Sequence, residues 1–282
     1  MEETSVKKEI SENYIDIKSL MASKGIKVTP IIVRFLNRLL HVKELNKAFY
    51  EYRHLDGLDC ATAYLQYIGV NVDVISSDNI PTDGKPFVVG NHPLGGPDGL
   101  ALLEAVGRYR KDIRFPVNDF LMYVPGLSSL FIPIDKVHRN NKNVAGLESA
   151  FASDNAILYF PAGLCSRRTK GVIKDPEWKP TFIKKAQQYQ RDVMPVFFDA
   201  KNRNRFYNIA NLRKKIGIKF NFEMALLPSE MFAQKGKTFR LIVGKPIPYT
   251  TFDNRHSAKE WAEIVKEYVY SLKDNPQAQF PY

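Results

Sequence analysis

Two residues that can hand a proton between them, His92 and Asp98, bracket the turn-rich stretch NHPLGGPDGL at residues 91–100, directly after the apolar run PFVVG. Pro93, Gly95, Gly96 and Pro97 deny this stretch a regular helix and let it fold tightly. Asp98 then opens a helix beginning DGLALLEAV and is expected to return toward the imidazole Nδ1. A carboxylate in that place orients the ring, fixes its tautomer and stabilises the imidazolium, so that Nε2 takes the proton. Among the five histidines, only His92 directly follows a strand-like run and has a carboxylate close by in such a loop. A histidine so placed also serves as a purely structural hydrogen bonder; the neighbouring carboxylate is what favours the base. No G-x-S-x-G elbow is present, so the hydroxyl or amine to be activated belongs to a substrate. Cys165 lies beside Ser166, Arg167 and Arg168, whose cations would lower a thiol pKa. No second histidine is paired with it in sequence, and a small space-filling residue is expected there.

The elements that must hold these residues alternate along the chain. PFVVG is short, β-branched and bounded by glycine, as a strand buried on both faces should be. Further strands are expected at NVDVI, IRFPVN, FIPID, NAILYFP, DVMPVFFDA, FEMALLP and FRLIVGKPI. Helices are expected at LDGLDCATAYLQYIGV, GLALLEAVGRY, VAGLESAFAS, FIKKAQQYQ and SAKEWAEIVKEYVYSLKD, with a helix or turn around DFLMYVPGLSSL. Such alternation predicts an α/β fold, a mainly parallel or mixed central sheet flanked by helices, with ligands at the carboxyl ends of the strands. Residues 1–75 read as a helical N-terminal extension and 76–282 as the α/β domain. Within the extension, residues 30–52 put Ile32, Phe35, Leu36, Leu39, Val42, Leu45 and Phe49 near one helical face, with Arg34, Arg38, His41, Lys43 and Lys47 largely elsewhere. That pattern fits one amphipathic helix, packed on the core or resting on an anionic bilayer.

A 44% apolar content in 282 residues is ample for a packed core and excludes global disorder. The formal charge of +11 points to an anionic partner: nucleic acid, a lipid headgroup surface or a phosphorylated carrier. The basic, aromatic run RNRFYNIANLRKKIGIKF lacks any RNP, KH or zinc-finger pattern, so it reads as a loop and amphipathic helix at a membrane surface or carrier dock, and nucleic acid is not expected. Cys60 and Cys165 form no C-x-x-C and have no histidine at ligand spacing, so neither disulfide framework nor zinc site is expected, and a reducing compartment fits. The start MEETSVKKEISENYIDIKSL lacks an apolar signal region, and no apolar run is long enough to span a bilayer.

NHPLGGPD resembles the NHxxxxD block of the glycerolipid and lysophospholipid acyltransferases, whose histidine deprotonates the acceptor hydroxyl for attack on an acyl thioester. GLSSLFIPIDK resembles their second block, with Gly126, Ile134, Asp135 and Lys136 in its places; YFPAGLCSRR resembles the third, FPEGTRS, through Phe160, Pro161, Gly163 and Ser166; VMPVFF resembles the fourth, centred on Pro195. The resemblance spans residues 84–200, and makes 76–282 an acyltransferase domain. It implies His92 as base and Asp98 as its orienting partner, with Asn91, Gly95, Gly96, Lys136, Phe160, Pro161, Gly163, Ser166, Arg167 and Arg168 around the substrates. Backbone amides near Gly95, Gly96 or Gly163 would stabilise the oxyanion. His92 and Asp98 are one residue further apart than in the block, an extra residue that the Gly95-Gly96 turn should absorb. The HPLGGxDG form itself resembles a hemolysin-like bacterial branch linked to acylation of lyso-amino-acid lipids such as ornithine or glycine lipids. Ala162, Leu164 and Cys165 stand where the third block has Glu, Thr and Arg, and Lys136 stands for an Arg of the second, which argues against a glycerol-phosphate acceptor. The resemblance implies an acyl carrier protein or coenzyme A thioester as co-substrate, no metal or other cofactor, a lyso-lipid acceptor, and a cytoplasmic protein held peripherally on the inner face of the cytoplasmic membrane. The altered third block leaves one alternative, a non-catalytic lipid- or nucleic-acid-binding protein on a degenerate acyltransferase fold.

Overall fold

The computed structural model describes residues 14–23, 25–134 and 141–282. The chain starts with helices α1 (Ile17–Ser23), α2 (Pro30–Leu39), α3 (Val42–Glu51) and α4 (Gly57–Ile68), then strand β1 (Asn71–Ile75). Next come β2 (Phe87–Gly90), α5 (Pro97–Gly107), β3 (Ile113–Asn118), β4 (Phe131–Ile134), α6 (Asn141–Ala152) and β5 (Ala156–Tyr159). A hairpin of β6 (Arg167–Thr169) and β7 (Val172–Lys174) precedes α7 (Thr181–Tyr189) and β8 (Val193–Asp199). The chain closes with α8 (Asn204–Lys215), α9 (Leu227–Phe232), β9 (Thr238–Val243) and α10 (Ala258–Ser271).

Seven strands form one sheet in the order β1-β9-β8-β2-β5-β3-β4. Neighbours are parallel except β8 and β9, so the expected mainly parallel, helix-flanked α/β fold is what forms. Successive side chains of a strand point to opposite faces, and both faces here are covered. Val88, Leu158, Met194 and Phe198 join the cluster under α4 and α5, whereas Phe87, Val89, Ile157 and Phe197 join the one under α7 and α10. Helix α10 starts on a capping box: the Ser257 hydroxyl accepts from Glu260 N–H, and the Glu260 carboxylate accepts from Ser257 N–H.

Three readings of the sequence need correction. Residues 30–52 form two helices, because His41 takes a left-handed conformation (φ 52°) and breaks the run. Histidine tolerates that region better than most residues, and its ring packs against Phe232 with centroids 4.9 Å apart. The break turns Val42, Ala48 and Phe49 of α3 into the core and leaves α2 without one buried residue. FEMALLP is not a strand but a 3-10 turn (Phe222–Leu226) leading into α9. Pro228 cannot donate to a ladder but suits a helix's first turn, and Glu223 is drawn inward by two arginines. Finally β1, counted with the extension, is an edge strand of the central sheet, parallel to β9. The β6–β7 hairpin had no counterpart among the expected elements.

Candidate active site

The site lies where β2 and β5 end. Asn91 follows β2 and continues its pairing with β8 by side chain: Nδ2 donates to Phe198 O (3.0 Å) and Oδ1 accepts from Phe198 N–H (2.7 Å). It is buried, and so braces the loop base. His92 comes next, held at both backbone atoms. Its N–H donates to the Asp175 carboxylate (3.1 and 3.2 Å), and its carbonyl accepts from Ser166 N–H (2.8 Å). The imidazole stacks on Phe160, with ring centroids 4.3 Å apart and planes 17° from parallel.

Nδ1 of His92 lies 2.9 Å from Oδ2 of Asp98, the contact expected from the loop's composition. The glycine pair makes it possible. Gly95 sits at φ +88°, and a Cβ there would come within 2.8 Å of Leu227 and 3.2 Å of Cys165, so this position excludes a side chain on two counts. Gly96 caps α5, placing Asp98 in the helix's first turn. Asp98 is fully buried and accepts from Leu94 N–H (2.9 Å), Gly95 N–H (3.1 Å) and Gly99 N–H (3.1 Å). Burial alone would push its carboxyl up, but the charge and hydrogen bond of His92 and the loop N–H groups outweigh burial and hold it below the ordinary carboxylate range. Asp98 is therefore ionised at neutral pH and can only accept. Nδ1 then carries the proton, and Nε2 is the basic nitrogen of the ring. The histidine side chain is 17% exposed while its partner is wholly covered, which puts a reactive edge at the surface and its charge support beneath.

The third-block loop closes the other side. Phe160 supplies the stacking ring; Gly163 (φ +62°) turns the chain with its N–H on Phe160 O (3.0 Å); Pro161 O accepts from Lys179 N–H (3.1 Å). Ser166 is buried, and its hydroxyl donates to Asp175 Oδ1 at 2.6 Å. Arg167 is buried as well, donating to Cys165 O (2.8 Å) and Sγ (3.0 Å) and pairing with Glu223 at 3.3 Å. Its guanidinium thus ties the loop to the β8–β9 connection. Arg168 reaches Asn204 and Asn208 on α8 and lies 5.9 Å over the Tyr207 ring. Lys136 and Asp135 lie outside the described residues. Burial pushes the Cys165 thiol up to about 11 despite the adjoining Arg167, so it is protonated at neutral pH and no nucleophile.

Two carboxylates escaped the sequence reading. Asp175, 83 residues from His92, holds the histidine's N–H, the Ser166 hydroxyl and Trp178 Nε1 (3.0 Å), while its own N–H donates to Tyr270 Oη (2.8 Å). Burial outweighs these hydrogen bonds and raises its carboxyl above the ordinary range. The one local hint was the turn pair Asp175-Pro176 with Trp178 three residues after the acid. Glu223 is buried between Arg167 and Arg213 (Nε 2.8 Å); nothing in FEMALLP marked it. Among the described residues, no three His, Cys, Asp or Glu side chains gather as a metal would require.

A histidine–carboxylate pair at the strand ends of this sheet, with the nearby thiol protonated and the Ser166 hydroxyl committed to Asp175, fits transfer to a substrate's own hydroxyl. A family model described as Acyltransferase matches residues 17–279, and the chain belongs to that family. Two relatives, from Phocaeicola vulgatus and Bacteroides thetaiotaomicron, each bear the name Lyso-glycine lipid O-acyltransferase. Each is 42% identical over 264 residues, covering 92% of this chain and 95% or 97% of the relative. Among solved structures, the 1-acyl-sn-glycerophosphate acyltransferase PlsC of Thermotoga maritima aligns over 90% of this chain and 87% of its own, at 16% identity and a TM-score of 0.46.

Proposed function

We propose that this chain is an O-acyltransferase that moves a fatty acyl chain from an acyl carrier protein or coenzyme A thioester to the hydroxyl of a lyso-glycine lipid. The observation that carries the reading is the His92–Asp98 pair, 2.9 Å apart on the carboxyl rim, in a chain 42% identical to two proteins of that name. Nε2 of His92 takes the proton of the acceptor hydroxyl as its oxygen attacks the thioester carbonyl carbon. The tetrahedral oxyanion is stabilised by a backbone N–H at Gly96, since the N–H of Gly95 is given to Asp98 and that of Gly163 to Phe160 O. Collapse breaks the carbon–sulfur bond, and the thiolate leaves with the proton held on the imidazolium, giving ester and free thiol. Every proton is accounted for by His92, and the reaction is written without a metal.

The third block is poorly equipped to grip a glycerol phosphate. Ala162 and Cys165 are buried, and Arg167 is engaged with Glu223, so these positions offer phosphate no forked cation. Access to a membrane-borne acceptor is supported by α2, where Ile31, Ile32 and Phe35 are exposed alongside Arg34 and Arg38. Among the described residues, no helix is long and apolar enough to cross a membrane. Peripheral attachment at the inner face of the cytoplasmic membrane, where thioester donors are made, is part of the proposal.

The test is transfer by purified protein in vesicles carrying lyso-glycine lipid, with each thioester supplied in turn. Diacylated product with stoichiometric thiol release is expected, and lysophosphatidic acid should be a poor acceptor. Lysophosphatidic acid acylated as fast as the glycine lipid would overturn the acceptor assignment. No thiol release with either donor would leave a non-catalytic binder.

A further inference from the structure

The connection from β8 to β9 carries a second exposed apolar surface that the reaction does not use. Leu212 and Ile216 at the end of α8, and Ile218, Phe220 and Phe222 just beyond it, all lie exposed, Phe220 to 77%. Lys214, Lys215 and Lys219 are exposed among them, and residues 212–222 contain no Asp or Glu. The first acid after them, Glu223, is buried and consumed by Arg167 and Arg213. The field at the tip is therefore positive, with large apolar side chains at its centre. Apolar groups this close together are costly in water. The chemistry they match is an anionic bilayer surface, where rings and branched chains enter the acyl boundary while ammonium groups stay level with headgroup phosphates.

This tip is also firmly based. Arg213 bonds Ile218 O (2.7 Å), Gly217 turns the chain at φ +76°, and Glu223 joins the tip to Arg167 of the third-block loop. Ser166, adjacent to Arg167, holds the His92 carbonyl, and Leu227, at the start of α9, packs over Gly95. We infer that residues 212–222 insert into the surface of an anionic bilayer and thereby hold the His92 loop at headgroup level. The inference rests on the membrane-lipid acceptor proposed above. It is carried by residues other than those of α2, Leu212 to Phe222 rather than Ile31 to Phe35.

Trp178 and Trp261, the two native tryptophans, are each 1% exposed, so an indole placed at the tip reports the bilayer against a shielded background. The probe is a vesicle of phosphatidylglycerol and phosphatidylcholine with brominated acyl chains. Phe220→Trp should shift its emission to the blue and lose roughly half its intensity to bromine. Pure phosphatidylcholine should give far less of both. A double change, Ile218→Glu with Phe220→Glu, should lower the vesicle-bound fraction severalfold yet leave transfer to detergent-dispersed lyso-glycine lipid within about twofold of wild type. An introduced indole that stays unquenched, in a protein that still sediments with the vesicles, would overturn the inference, as would equal quenching in zwitterionic vesicles. Failure of the two ideas is distinguishable. Quenching without thiol release would sink the enzyme and keep the membrane tip, whereas transfer in detergent without quenching would do the reverse.

Discussion

At the amino ends of β2, β3, β5 and β8, Arg110 and Arg191 gather loop carbonyls; over the carboxyl ends of the same sheet, Asp98, Asp175 and Glu223 gather N–H groups. Arg191 is fully buried and bonds the carbonyls of Lys85, Ala150, Phe151, Ser153 and Asn155. These five bonds match the full donor complement of a guanidinium. Burial lowers its pKa only to about 10, so it stays charged at neutral pH. Arg110 likewise spans Pro81, Asp83 and Gly84 carbonyls and the Asp112 carboxylate. The two guanidinium groups of this rim are saturated by fixed oxygens. Asp98 and Asp175, by contrast, converge on one residue from two directions, ring and backbone, while their other acceptor sites fix the surrounding loops, and they leave that ring partly exposed. Buried charge staples loops at one end and orients an imidazole at the other.

The contrast is broken most sharply by exchanging what each rim loses. His92→Ala should lower kcat/KM by about 10²- to 10⁴-fold, the share of a general base, in a protein that still folds, with a smaller loss of melting temperature than the next variant because Asp98 keeps its three loop N–H donors. Activity within a few-fold of wild type would remove His92 from the chemistry. Arg191→Met should do the opposite. It strips five buried carbonyls of their donor, at a cost on the order of 3–5 kcal/mol seen in thermal or urea unfolding, while protein still folded in the cold keeps near-normal turnover. A fall in turnover at constant fold would mean that the two rims are not independent.

Asp98→Asn sharpens the anionic side. It removes the charge beneath the ring but can keep an acceptor toward Nδ1, so a loss of about ten- to a hundredfold is expected, smaller than for His92→Ala. Because Asp98 titrates below the ordinary range when folded, its contribution to stability is present above the unfolded pKa and lost as pH falls through the folded value. The Asn variant should therefore lose less stability than wild type on acidification. Asp175 carries the opposite sign. Its raised folded pKa means that stability present below the unfolded pKa is lost as pH rises through the folded one. Relative to wild type, Asp175→Asn should thus gain a few degrees in melting temperature between acid and neutral pH, the smallest of these effects. A difference that stays flat across that window would show that Asp175 does not titrate as burial requires.

These residues also mark how far a sequence can be read. His92 and Asp98 were legible because the loop joining them is short and its glycines announce the turn. Asp175 and Glu223 act over long sequence separations, with no periodicity linking them to their partners. Arg191 stands in a loop where spacing says nothing of carbonyls brought in from the starts of other strands. The alternation of strands and helices was visible, since a buried parallel strand is a continuous apolar run. The end of α2 was not, because His41 breaks a helix without Gly or Pro and the apolar pattern continues through it. FEMALLP misled for a related reason: short apolar runs do not declare their period, and here tertiary pairing of Glu223 decided. The neighbouring pair Arg167 and Arg168 looked alike on paper, yet one became an internal tie and the other lies against α8.

The antiparallel step between β8 and β9 has an evolutionary consequence. Antiparallel neighbours need only a tight turn to connect them, so the sheet itself does not require residues 200–237. What binds that segment to the fold is its base, where Asn202 reaches the Pro93 and Leu94 carbonyls and Phe206 and Tyr207 pack on Cys165. The exposed side chains of the tip, Leu212, Ile216, Ile218 and Phe220, have no such obligation, unlike buried Arg213 and Glu223, which anchor it. Descendants of this chain can recharge or exchange those exposed residues one at a time without refolding the core, which makes them the part of the molecule best placed to change the surface it meets.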